Sequence, residues 1–127
     1  LLLTLTLKLT LPMFDFQKLD VYSKSKKFTS DVLKIINKNS FDRAVNDQLK
    51  RASLSIVLNI VEGSSNFSKK DKRNFLIISR GSAFECVAIL EFLYENNKIE
   101  KHIYNKQYLQ LEEISKMLFA LIKRLEK

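Results

Sequence analysis

Turn-forming residues are nearly missing from this chain. Only two glycines and one proline occur in 127 residues, and Pro12 lies outside the main apolar pattern. A sheet protein of this length needs many more glycine, proline and asparagine turns. The chain is therefore confined to helices joined by short polar connections. Its length corresponds to one domain. Four helices of about 20–25 residues would each span about 30–37 Å and share a single core. The expected fold is all-α, an antiparallel up-and-down four-helix bundle over residues 13–127.

Apolar spacing predicts where the helices run. The first should cover residues 16–38, with Leu19, Tyr22, Phe28, Val32, Leu33, Ile35 and Ile36 on one face. Lysines 18, 24, 26, 27, 34 and 38 lie on the other. Residues 37–40 punctuate, because their side chains compete for backbone bonds. The second helix should cover residues 41–62, with Gly63 as a left-handed C-cap. The third should open on a Ser68–Asp71 capping box and run to Asn96. Gly81, Ser82 and Ala83 within it form a small-residue patch that predicts a tight helix crossing. The fourth should cover residues 103–126, with Tyr104, Tyr108, Leu111, Ser115, Leu118, Ile122 and Leu125 as its bundle seam.

Polar residues recur inside the apolar stripes of the second and third helices. Gln48, Ser55 and Glu62 stand seven apart, with Asn59 one turn before Glu62. Ser79, Ser82 and Glu85 repeat the theme. An unpaired buried polar group costs about 1–3 kcal/mol, so these seven residues predict a structural polar network or a subunit interface. Glu62 falls in the last turn of its helix, where the dipole disfavours an anion. A cationic partner is expected, with Arg80 or Arg51 as candidates, including those of another subunit.

The segment from Gln48 to Glu85 also resembles the signature of a four-helix-bundle family, the 23S ribosomal RNA intervening-sequence proteins. The pattern Q-L-x-R-A-x-x-S-I-x-x-N-I-x-E-G is met by Gln48, Leu49, Arg51, Ala52, Ser55, Ile56, Asn59, Ile60, Glu62 and Gly63. The later part is met by Ser68, Asp71, Phe75, Leu76, Ser79, Gly81, Ser82 and Glu85. Two departures stand out: Val57 where many members have proline, and Phe41 alone where many have a phenylalanine-proline pair. The resemblance implies a homopentamer with a basic outer surface. It extends to the similar accessory variability protein of diversity-generating retroelements.

The chain carries a formal charge of +8, which draws a protein towards polyanions. Lys69, Lys70, Lys72, Arg73 and Arg80 cluster around the start of the third helix, and Arg43, Lys50 and Arg51 lie on the second. A helix start adds free amides and a positive dipole end. These eight residues are the candidate nucleic-acid contacts, and Lys24, Lys26 and Lys27 would extend them. Phosphate contacts of this kind give affinity with little sequence preference. The expectation is a nonenzymatic, homo-oligomeric binder of structured RNA or RNA–DNA. The alternative is a scaffold that docks an acidic protein such as a reverse transcriptase.

Catalytic chemistry is poorly provided. His102 is the single histidine, expected on the surface, and the single cysteine, Cys86, is expected in the core. No spacing suits zinc and no glycine-rich phosphate loop occurs, so neither a metal nor a cofactor is expected. A lone cysteine fits a reducing cytoplasm. Residues 1–12, LLLTLTLKLTLP, are too short to span a bilayer and lack a basic region ahead of their leucines. They are read as an upstream extension outside the domain, from a misassigned start, with a short docking strand or membrane-touching segment as the alternative.

Overall fold

A computed structural model describes residues 14–39 and 41–126; the expectation for residues 1–12 lies outside them. A short 3-10 turn at Asp15–Lys18 precedes four helices: α1 Asp20–Lys38, α2 Arg43–Ser65, α3 Lys69–Glu95 and α4 Lys101–Leu125. Consecutive helices pack side by side, and α4 closes the bundle against α1. The core is continuous through all four, with Phe28, Leu49, Ile56, Leu90, Leu111 and Leu118 among the side chains withdrawn from water.

Helix ends depart from the expected boundaries for identifiable reasons. The first helix starts late because Leu19 is extended (φ −80°, ψ 127°). The second starts at Arg43 because Asp42 caps it, accepting from the Ala44 amide at 2.8 Å. At α3, Ser68 Oγ accepts from the Asp71 amide at 3.3 Å. Only this half of the predicted capping box forms among the described residues. The left-handed turn falls at Asn97, φ 58°. There the Lys98 amide donates to the Leu93 carbonyl (2.8 Å) and the Asn97 amide to that of Tyr94 (3.0 Å), a Schellman closure of α3.

Gly63 is not the predicted C-cap. It is buried inside α2, which runs on to Ser65, and no glycine has a positive φ among the described residues. A Cβ at Gly63 would stand 3.2 Å from the Lys72 carbonyl oxygen and 3.4 Å from Phe75 Cβ. Absence of a side chain therefore lets α2 and α3 converge. The end of α2 is satisfied by side chains instead: Asn66 Nδ2 and Ser65 Oγ donate to the Glu62 carbonyl at 2.7 and 3.0 Å. Lys72 Nζ donates to that of Ser64 at 3.0 Å.

The seam of α4 is turned relative to the expected one. Leu111, Leu118 and Ile122 are buried, but Ile114 and Gln107 take the places assigned to Ser115 and Tyr108. Tyr108 is 42% exposed. Gln110 ties this helix to α1, its Nε2 donating to Asp31 Oδ2 at 2.9 Å and to Gln107 Oε1 at 3.0 Å.

On α1, Thr29 Oγ1 lies within donor range of two backbone carbonyls, Ser25 at 3.0 Å and Ser53 at 3.1 Å. Ser25 Oγ is wholly buried and has no partner among the described residues. An unmet hydroxyl costs about 1–3 kcal/mol. Ser25→Ala is therefore expected to raise stability by about 1 kcal/mol in a urea titration. A loss of stability would show that the hydroxyl is bonded in solution.

Candidate functional site

The polar stripe forms a ladder between α2 and α3. Ser79 Oγ is buried and donates to the Ile56 carbonyl at 2.8 Å. Ser55 Oγ and Ser82 Oγ lie 2.7 Å apart. Ser82 Oγ also reaches the Ile78 carbonyl at 3.1 Å, and Asn59 Nδ2 donates to Ser55 Oγ at 3.0 Å. These bonds are satisfied together by one direction of donation, from Asn59 to Ser55, to Ser82, to the Ile78 carbonyl. Further along, Gln48 Nε2 donates to Glu85 Oε2 at 2.6 Å. Six of the seven predicted polar residues thus meet on one seam.

Glu62 stands apart. Its carboxylate is exposed and has no hydrogen bond or ion pair among the described residues. The expected partners within the chain do not reach it. Arg51 is exposed on α2, and Arg80 lies on the side of α3 that faces α4.

The small-residue patch divides in a way the sequence does not reveal. Ser79, Ser82 and Ala83 face the bundle, and Ala83 is fully buried. Gly81 faces outward, and a Cβ built there meets nothing within 4 Å. The predicted tight crossing therefore rests on Ser79, Ser82 and Ala83, with no part for Gly81. The outer face of α3 is also apolar, with Ile77, Ile78, Phe84 and Phe92 each 42–58% exposed. A helix apolar all round is normally covered on every side.

The eight candidate nucleic-acid residues do not form one surface. Lys69 and Lys70 are exposed in the first turn of α3, with no ion-pair partner among the described residues. Lys72 is committed to the end of α2. Arg73 pairs with Glu126 at 2.9 Å, and that bond holds the Glu126 carboxyl below its ordinary range. Arg43 opens α2, the helix whose far end leads to Lys69, so the two stand about 33 Å apart along the bundle. Lys50 and Arg51 lie between them, exposed. Lys26, Lys27, Lys34 and Lys38 form a further exposed basic row on α1. Lys24 pairs with Glu113 at 2.8 Å.

Arg80 sits in a groove that sequence reasoning did not foresee. The groove, about 510 Å³, runs between α3 and α4, and Phe84, Val87, Tyr108 and Phe119 line it. The guanidinium lies 4.6 Å from the Phe84 ring centre and 5.3 Å from that of Phe119. Its Nε is buried without an acceptor among the described residues. Turning Tyr108 and Phe119 towards α3 opens this groove, and the α4 rotation behind it was not readable from spacing alone.

Cys86 is enclosed, and burial pushes its thiol up to about 12, with Glu85 adding to the effect. His102 is exposed, 3.2 Å from Glu100. Among the described residues, no group of three or more His, Cys, Asp and Glu side chains is placed to hold a metal ion. No helix among them is long and apolar enough to cross a membrane.

A model of the family described as 23S rRNA-intervening sequence protein matches residues 17–120. The chain is also similar to a crystal structure from Bacteroides thetaiotaomicron, described as a protein with unknown function from the S23 ribosomal protein family. The two share 28% identity and a TM-score of 0.74, over 81% of this chain and 95% of that one. No curated protein matches.

Proposed function

Because this chain belongs to the 23S rRNA-intervening sequence protein family, we propose that it is a nonenzymatic, basic protein that binds nucleic acid as a homo-oligomer. Structured RNA is the favoured ligand, held through backbone phosphates with little sequence preference. The observation that carries this reading is the uncompensated charge. The chain is at +8, and Lys69, Lys70 and the lysine row on α1 are exposed without acidic partners among the described residues. The start of α3 adds unpaired amides and a positive dipole end beside Lys69 and Lys70. Assembly multiplies the field of one subunit, and a pentamer is the form that the family resemblance implies. Action in the cytoplasm, where rRNA resides and a buried thiol stays reduced, belongs to the same reading.

Lys72 and Arg73 contribute less than the sequence implied, because both are held by groups of their own chain. The test is therefore the double variant Lys69→Ala/Lys70→Ala. Fluorescence anisotropy with a labelled structured RNA should show affinity falling about tenfold at low salt. The slope of log affinity against log salt should shrink by about 2. An unchanged slope would assign binding to the α1 row or another surface. No RNA binding by the parent protein at low salt would overturn the nucleic-acid reading and leave the scaffold for an acidic protein in its place.

A further inference from the structure

The geometry points to a specific contact between copies of this chain: the outer ridge of α2, Leu54–Leu58–Glu62, seats in the α3–α4 groove of a second copy, and Glu62 pairs there with Arg80. This inference rests on the homo-oligomer reading above and names the surfaces that reading requires.

The groove sets the chemistry of its occupant. Its walls are mostly apolar side chains, with Tyr108, Ser115 and the Glu112–Lys116 pair also in the lining, and the Arg80 guanidinium within it stacks on Phe84 and Phe119. The Nε–H of Arg80 is buried and unmet among the described residues. Apolar walls call for aliphatic knobs, and a planar cation between aromatic rings calls for a carboxylate. Gly81 borders the adjoining part of the groove. Glycine inside a helix is unfavourable against alanine, and nothing among the described residues stands near enough to require it. Close approach by another backbone does require it.

A matching surface exists on the same molecule. Leu54, Leu58 and Glu62 follow at four-residue intervals on α2, so they form one ridge of the kind that packs into helix grooves. Leu54 and Leu58 are 41% and 57% exposed. Glu62 is an exposed carboxylate without a partner among the described residues, in the last turn of α2 against the dipole. Within one chain the two surfaces do not meet: Glu62 is on α2, and the Arg80 groove opens between α3 and α4. Both halves of the contact are present on every copy, which favours a second copy over a foreign protein. Two different patches make the contact heterologous, so it propagates head to tail and closes into a ring or extends as a filament.

Native mass spectrometry and light scattering, without RNA, would test the contact on the full chain and four variants. The parent should be a multimer. Glu62→Arg and Arg80→Glu should each weaken association at least tenfold, and the double exchange should restore it. Gly81→Leu should also lose assembly while keeping its helical circular dichroism, since the new side chain has open space in its own subunit. A parent that stays monomeric would overturn the homo-oligomer reading and this contact with it. A multimeric parent with unchanged single variants would overturn this contact alone. Dissociation of both single variants without rescue by the double exchange would refute the pairing of Glu62 with Arg80.

Discussion

Truncating Phe28 to alanine should cost about 3–5 kcal/mol, the largest single loss expected in this molecule. Phe28 is fully buried at the centre of α1, within the cluster that joins α1 to the other three helices. The bundle cannot collapse onto the vacated space without shifting α1 along its neighbours, and the Thr29 bond to the Ser53 carbonyl resists that shift. A small domain has only about 5–15 kcal/mol of stability, so the variant would sit near its unfolding threshold. Urea unfolding followed by circular dichroism measures the loss, with Leu33→Ala as control. Leu33 is on the same helix but 40% exposed, and its removal should cost little. Equal losses from the two variants would mean that α1 docks on a different face.

Gly63→Val is the second large effect, about 3 kcal/mol. The reason is geometric. The nearest neighbour of an added Cβ is the Lys72 carbonyl at 3.2 Å, and a backbone atom in the first turn of α3 cannot rotate away as a side chain could. Two further methyl groups must push the helix ends apart. That movement also strains the Lys72 bonds to the Gly63 and Ser64 carbonyls. Gly63→Ala should be far milder, because better helix propensity, about 1 kcal/mol, offsets a contact that is only slightly tight. Thermal melts of the two variants separate these cases. A valine variant as stable as the alanine one would show that α2 and α3 are not closely packed at this point.

Gly63 also shows where sequence reasoning reaches its limit. A glycine after an apolar run is equally consistent with a left-handed cap and with a close helix approach. The choice depends on what lies opposite, and spacing within one helix does not contain that. The same limit explains Gly81. Its neighbours Ser82 and Ala83 face α2 and the core, and one residue of rotation turns Gly81 to the outside. By contrast, four helices were legible, because scarce glycine and proline leave long periodic segments intact. The polar ladder was legible as well, since hydroxyls and amides repeating on an apolar stripe must find partners. Gln107 and Ile114 were missed on α4, where Tyr108 mimics a seam position while lining the groove. The basic cluster was legible only as charge. That Lys72 and Arg73 are occupied by carbonyls and a carboxylate of the same chain follows from tertiary geometry.

The enclosed thiol of Cys86 gives the molecule a built-in clock. A thiol pushed up to about 12 within a closed core has almost no thiolate at neutral pH, and alkylating reagents need the thiolate. Modification must then wait for an opening that exposes the middle of α3. The rate of covalent labelling in the folded protein therefore reports how often that opening occurs. In mixtures with nucleic acid, the same sulfur reads the frequency of core opening without an engineered cysteine.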